Sequence, residues 1–322
     1  MNILSKLLEQ QSIIVIDGAL GTELERKGCD LNDALWSSKV LIDNPEIIRD
    51  IHLSYLQAGA DCITTSSYQS SIAGFMAHGF DEAQAYALIR KSAEIAVQAR
   101  DDFWQSLSEQ ERVERSKPLV VASLGPYGAY LADGSEFRGD YALDEAVLFG
   151  FYRPRIQALL EGGADLLGFE TLPSLAEALV IIKLLESEFP EAKAWFSFSA
   201  KDREHISNGD AIETVVKAVA SHDAVLAVGV NCTPPQYIAD LVRRMVKQTD
   251  KLIIVYPNSG ETYDAEHKTW HDHSTHGEFA TQARLWYQEG ARLIGGCCRT
   301  SPREIKDVAA ALKNPHHSDK IA

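Results

Sequence analysis

Eight short apolar runs recur along the chain, each followed by a longer helical stretch, and this alternation constrains the fold more than any other feature. The runs are Ile13–Asp17, Cys62–Ser66, Leu119–Leu124, Leu166–Glu170, Ala194–Phe198, Val225–Asn231, Leu252–Tyr256 and Arg292–Gly295. Most are nearly continuous in Val, Ile, Leu or Phe, the pattern of strands buried on both faces, and parallel sheets bury both faces. The segments between them carry helix signals. Pro45–Ala58 has Pro in its first turn, an apolar stripe of Ile47, Ile48, Ile51 and Leu56, and Gly59 as a stop. Ser174–Glu188 opens with Ser and has Glu177 three residues later, a capping-box pattern. Helical stretches at Asp81–Leu107, Leu143–Glu161, Ala211–Ser221, Pro234–Lys247, His276–Glu289 and Pro302–Leu312 complete the set. Eight strand-then-helix units predict an α/β fold, a (β/α)8 TIM barrel with inserts after strands 1, 2, 3 and 7. The competing fold is a doubly wound open sheet. It is disfavoured because the first turn reads Asp17-Gly18-Ala19-Leu20-Gly21-Thr22, with no G-x-G-x-x-G. With no Ser/Gly linker or low-complexity segment, residues 1–322 are expected to form a single barrel domain.

Composition narrows the function classes. Lys plus Arg number 31 against 46 Asp plus Glu, a formal net charge of −15, which repels phosphate backbones and argues against nucleic acid as a ligand. No apolar run reaches the ~18 residues of a membrane span. The opening Met1–Leu8 reads as a short amphipathic helix, without the apolar core and cleavage site of a signal peptide. Five cysteines in a chain of 322 residues without that signal suggest a reducing, cytoplasmic setting.

Barrel enzymes carry their chemistry at the carboxyl ends of the strands. There strand 1 delivers Asp17-Gly18, strand 2 Thr64-Thr65-Ser66-Ser67-Tyr68, strand 3 Ser123-Leu124-Gly125-Pro126-Tyr127, strand 4 Glu170-Thr171, strand 5 Ser197 and Ser199, strand 6 Asn231-Cys232, strand 7 Tyr256-Pro257-Asn258-Ser259, and strand 8 Gly295-Gly296-Cys297-Cys298. Cys232, Cys297 and Cys298 therefore fall on one face. Free cysteine is often a small buried hydrophobe, but three at matching strand ends favour a metal site. Neighbours in a strand point oppositely, so Cys297 and Cys298 share an ion only if the backbone turns, which Gly295-Gly296 is expected to permit. Three thiolates and an open position match catalytic Zn2+. Such an electron-rich zinc is a poor hydrolytic Lewis acid yet deprotonates a bound thiol, so alkyl transfer to a substrate thiol is the inferred chemistry. Asp17 and Glu170 suit a substrate ammonium, and the Gly18-Ala19 amides a carboxylate. Cys29 and Cys62 are expected to be bystanders.

Six motifs together carry a resemblance: Asp17-Gly18-Ala19, Gly125-Pro126-Tyr127-Gly128, Phe169-Glu170-Thr171-Leu172-Pro173, Gly229-Val230-Asn231-Cys232, Tyr256-Pro257-Asn258-Ser259-Gly260-Glu261 and Gly295-Gly296-Cys297-Cys298-Arg299. The combination resembles the homocysteine S-methyltransferase family, closest to the branch that uses S-methylmethionine. The resemblance spans nearly the whole chain. It implies zinc on Cys232, Cys297 and Cys298, homocysteine held by Asp17 and Glu170, and methyl transfer from a sulfonium donor (S-methylmethionine, or S-adenosylmethionine) to give methionine. Gly18 and Asn231 join the expected substrate-binding set. In the betaine-using branch a Tyr follows this Glu; here Thr171 stands there, which argues against betaine. The chain also lacks that branch's dimerisation arm, so a monomer is expected. Tyr127, Tyr130 and Tyr256 are candidates for the donor pocket, weighed against ordinary packing.

His267, His271, His273 and His276 cluster after strand 7, with Lys268-Thr269-Trp270 among them as a candidate lid. A solvated loop is the favoured reading. The rival is a zinc hydrolase using His271 and His273. Two further possibilities stand beside these: a thiol or zinc sensor without turnover, and selenocysteine as the methyl acceptor.

Overall fold

The structure is a computed structural model that describes residues 2–29, 37–141, 144–260, 262–264, 269–271 and 278–313. Its eight barrel strands are β1 (Ile14–Val15), β2 (Cys62–Thr64), β3 (Leu119–Leu124), β4 (Leu166–Leu172), β5 (Ala194–Phe198), β6 (Val225–Asn231), β7 (Leu252–Tyr256) and β8 (Ala291–Ile294). They pair in parallel in the order β1-β8-β7-β6-β5-β4-β3-β2. Between β1 and β2 the ring closes through a single bridge, Ile16 to Cys62, flanked by Asp17 N–H to Cys62 O at 3.0 Å and Asp61 N–H to Val15 O at 2.7 Å. This is the expected TIM barrel.

Helices follow the strands as the periodicity predicts: Pro45–Ala58, Glu82–Ser106, Glu145–Glu161, Leu175–Glu188, Ile212–Val219, Pro235–Met245, Phe279–Glu289 and Pro302–Lys313. Gly59 ends the first with φ 109°, a conformation open to glycine because it lacks a Cβ. Ser174 accepts from Glu177 N–H and starts its helix as the sequence suggests. The inserts hold structure that carries no clear sequence signature. Leu20–Arg26 and Ser37–Asp43 follow β1, Ile72–Ala77 follows β2, Tyr127–Leu131 and a 3-10 turn at Ser135–Phe137 follow β3, and an antiparallel pair Thr262–Asp264 with Thr269–His271 follows β7.

A two-residue period sorts each strand. Val120 and Ala122 face the helices with Ile13 and Val15, while Leu119 and Val121 face the barrel axis with Ile14, Ile16, Leu166, Trp195, Ile254 and Leu293. Leu4 and Leu7 of the helix Ile3–Leu8 join that interior cluster. In the middle of the barrel, glycines make room. A Cβ on Gly168 would meet Trp195 Nε1 at 2.8 Å, and one on Gly229 would meet Ile254 O at 1.8 Å. Among the described residues no helix is long and apolar enough to cross a membrane.

Candidate active site and metal centre

The interior-facing parity continues to the carboxyl ends and selects what enters the site. Leu119 and Val121 lead to Ser123, Leu166 and Gly168 to Glu170, Trp195 to Ser197, Ala227 and Gly229 to Asn231, Ile254 to Tyr256, and Leu293 and Gly295 to Cys297. All of these except Cys297 are buried, and Cys232, Cys297 and Cys298 keep partial exposure.

The three thiols converge. The sulfurs of Cys232, Cys297 and Cys298 all lie within 4.8 Å of one another, with Cys232 Sγ 3.7 Å from Cys298 Sγ. Local backbone geometry arranges this. Cys232 leaves β6 in the left-handed region at φ 46°, its N–H donating to Tyr256 O at 3.2 Å. Cys297 N–H donates to Pro257 O at 2.8 Å, and Cys298 O accepts from Ser259 N–H at 3.0 Å, so the β7 and β8 loops are laced together. Gly295 and Gly296 play a different part from the expected flexible turn: neither has positive φ. They are small because space is short. A Cβ on Gly295 would lie 2.6 Å from Ile16 Cβ, and one on Gly296 would lie 2.3 Å from Thr300 Oγ1. The left-handed residue after the cysteines is Arg299, at φ 68°.

Cys298 is pushed well below an ordinary thiol by hydrogen bonds from Cys232 and then Cys297, while Cys232 is pushed up by its bonds to Cys297 and then Cys298 and by burial. One thiolate is favoured without a cation; a dication is needed to hold three together. The soft sulfur donors fit zinc, and their partial exposure leaves room for a further ligand. Cys29 and Cys62 stand apart from the trio. Cys62 is fully buried in the barrel interior, and burial pushes its thiol well up.

Both candidate carboxylates are buried at this end. Asp17 accepts from Thr64 N–H at 2.8 Å and from Thr64 Oγ1 at 3.2 Å, yet burial still raises its pKa, with the nearby Glu170 charge adding to the rise. Glu170 accepts from Ser123 Oγ. Burial pushes its pKa up to about 7, the Ser123 bond and Tyr256 hydroxyl hold it down, and Cys297 raises it. Two buried carboxylates, one of them raised by the other's charge, favour a cationic ligand.

A hydrogen-bond ring locks Glu170 in place. β4 carries an irregularity between Phe169 and Leu172, and within it Thr171 takes φ 58°. Asn231 Oδ1 accepts from Thr171 N–H at 2.7 Å and from Ser197 Oγ at 2.8 Å, and Asn231 Nδ2 donates to Thr171 Oγ1 at 2.8 Å. Ser197 also pairs with the Tyr256 hydroxyl. The amide of Asn231 thus serves its protein neighbours.

Of the tyrosines, Tyr256 lies beside Glu170 and Cys297. Tyr127 packs in an aromatic group with Tyr130, Tyr141 and Phe151, centroids 5.5, 6.1 and 5.1 Å away. Gly18 is hemmed in: a Cβ there would approach Thr300 Oγ1 at 2.8 Å. The sequence puts Thr64, Ser123, Ser197 and Thr171 at the strand ends without a role, and the structure makes them hydrogen-bond partners of the candidate residues; the inward parity of Ser123 and Ser197 was the available signal. Tyr68, at the end of strand 2 and likewise without a role in the sequence, adjoins Thr171; sequence reasoning missed the buried Arg155, which donates to Gly125 O at 3.0 Å and Tyr68 O at 2.9 Å and so ties the β2 and β3 loops together. His267, His273, His276 and the side chain of His271 lie outside the described residues. Among the described residues the only candidate metal cluster is the cysteine trio.

Comparison with known proteins identifies the family. The family profile described as homocysteine S-methyltransferase matches residues 14–312. A homocysteine S-methyltransferase of Bacillus subtilis is 53% identical over 310 residues, covering 96% of this chain and 98% of that protein. A selenocysteine methyltransferase of Astragalus bisulcatus is 46% identical over 312 residues, covering 93% of this chain and 92% of that protein. The crystal structure of the homocysteine methyltransferase MmuM from Escherichia coli, in its metallated form, superposes with a TM-score of 0.86 at 45% identity, covering 96% of this chain and 99% of that one. The chain belongs to the homocysteine S-methyltransferase family.

Proposed function

We propose that residues 1–322 act as one domain that transfers a methyl group from a sulfonium donor, S-methylmethionine or S-adenosylmethionine, to the thiol of L-homocysteine, giving methionine. The observation that carries this reading is the thiol trio within 4.8 Å, at the same barrel mouth as two buried carboxylates, Asp17 and Glu170. Cys232, Cys297 and Cys298 would hold zinc, which when bound supplies a site where a substrate thiol ionises at neutral pH.

The remaining work falls to this chain's own residues. Asp17 and Glu170 receive the homocysteine ammonium, and its arrival favours their ionised forms. The Gly18 N–H faces the substrate carboxylate, since the Ala19 N–H already donates to Thr300 Oγ1 at 3.3 Å. The ring through Asn231, Ser197 and Tyr256 keeps Glu170 fixed relative to the thiols. In the transfer, the thiol proton leaves, the sulfur forms the new S–CH3 bond, and the donor's S–CH3 electron pair returns to the departing thioether. Holding two substrates in line is worth more here than acid–base help, because no proton moves at the methyl group.

The test is a donor panel with homocysteine as acceptor: S-methylmethionine, S-adenosylmethionine and betaine, each with and without chelator. Methionine formation from a sulfonium and none from betaine is expected. Turnover with betaine alone, or none with any donor, overturns the reading. The similarity to a selenocysteine methyltransferase makes selenocysteine the second acceptor to include.

A further inference from the structure

Four buried side-chain oxygens on the carboxyl-end loops have no hydrogen-bond partner: Ser66 Oγ, Gln69 Oε1, Glu136 Oε2 and Asn258 Oδ1. Buried polar atoms are nearly always paired, so each such atom asks for an explanation. Glu136 is the charged one, and nothing in the catalytic reading uses it.

Its position is built, not incidental. Glu136 sits in the 3-10 turn Ser135–Phe137, which Gly134 opens in the left-handed region at φ 81°. Ser135 N–H donates to Asp133 Oδ1 at 2.9 Å, and Ser135 Oγ donates to Gly128 O at 3.4 Å. The Glu136 backbone N lies 2.6 Å from where a Cβ on Gly128 would be, so turn and helix Tyr127–Leu131 are packed flush. Burial raises the carboxyl's pKa, and Asp133 adds to the rise. Arg138 also acts on Glu136, but its guanidinium pairs with Asp133 at 4.0 Å and Asp140 at 3.1 Å.

The turn packs against β4, the strand that holds Glu170 and Thr171, and this places the carboxylate near the reaction site, with Tyr68 between. Burial and then Glu136 raise the pKa of its hydroxyl, Thr171 pairs with it, and Cys232 and Glu170 also act on it. The Tyr68 ring lies where a Cβ on Gly125 would be, 2.7 Å from its Cε2, which keeps the ring against the β3 loop. Next to it, Gln69 Nε2 donates to Ala129 O at 3.1 Å, leaving Oε1 as a second unpaired acceptor. A carboxylate oxygen and an amide oxygen accept and do not donate, so they fit a hydrogen-bond donor, and the carboxylate's charge favours a cationic one. Asp17 and Glu170 serve one ammonium, whereas the reaction brings two amino-acid substrates.

We propose that Glu136, assisted by Gln69 Oε1, binds the α-ammonium of the methyl donor and so selects α-amino-acid sulfonium compounds over sulfonium compounds without an amine. This rests on the sulfonium-to-homocysteine reading. The ammonium is remote from the methyl group and keeps its charge throughout transfer. Its pairing therefore holds ground and transition state alike and acts on the donor's KM rather than on kcat.

The experiment compares S-methylmethionine with 4-(dimethylsulfonio)butanoate, the same sulfonium without its amine, in wild type and Glu136→Gln. Wild type is expected to prefer the amino donor by about 10- to 100-fold in kcat/KM, the range of a close charge pair. Glu136→Gln should bring that preference close to parity through the amino donor's KM, with homocysteine KM, zinc content and Tm unchanged. A preference that survives the substitution, or none in wild type, overturns the proposal. Failure of wild type to use any sulfonium instead overturns the functional reading, and this assignment with it.

Discussion

Asn231 holds Thr171 at both ends: its Oδ1 accepts the Thr171 N–H at 2.7 Å and its Nδ2 donates to Thr171 Oγ1 at 2.8 Å. Thr171 follows Glu170 and has φ 58°, a conformation a β-branched residue adopts only when its surroundings enforce it. Asn231→Ala removes the enforcement and leaves a buried N–H unpaired. The expected cost is about 1–3 kcal/mol of stability by urea unfolding, with a raised homocysteine KM as Glu170 loses its alignment. A variant with wild-type stability and wild-type KM would show that the ring does not position Glu170.

Glu170→Gln keeps a side chain that can still meet Ser123 but removes the charge. The homocysteine KM should rise about 10- to 100-fold, the donor KM should stay, and zinc should remain bound. Asp17→Asn should act in the same direction. Steady-state kinetics with each substrate varied separately checks this; a rise confined to the donor would reassign the carboxylates.

His52 is a stability switch away from the site. It is 1% exposed in the helix Pro45–Ala58, its Nε2 has no partner, and burial lowers its pKa from 6.5 to about 4. Between those values the unfolded chain binds the extra proton, so this contribution is complete above pH 6.5 and declines as pH falls toward 4. The loss amounts to about 3 kcal/mol at the acid end. His52→Leu should unfold with a flatter pH dependence than wild type in parallel urea titrations; identical slopes would remove His52 from the account.

Gly229→Ala tests the barrel's middle layer. The new Cβ would fall 1.8 Å from Ile254 O, a backbone atom that cannot move without breaking the β6–β7 register. A loss of about 3 kcal/mol or more is expected by thermal unfolding. An unchanged Tm would mean that the two strands can separate freely there.

Much of this arrangement is legible in the sequence. Eight apolar runs reproduce the barrel strands to within a few residues, because strands buried on both faces advertise themselves. Cys232, Cys297 and Cys298 are grouped by strand-end logic alone, and the structure brings their sulfurs together. Short helices such as Ile72–Ala77 escape because one or two turns leave no periodic signature. The glycine pair before Cys297 reads as a hinge, yet its cause is contact with Ile16 and Thr300, which no local pattern reveals. Glu136 is equally silent, since nothing in its own stretch of sequence marks an oxygen that folding leaves buried and unpaired.

The most direct test of the central claim measures zinc content and methionine formation together in wild type and Cys298→Ser, before and after chelation and zinc return. Wild type should carry stoichiometric zinc, lose both metal and turnover to the chelator, and recover both. Cys298→Ser should bind zinc weakly and form methionine at a small fraction of the wild-type rate. A Cys298→Ser protein with full zinc and undiminished turnover would contradict the account.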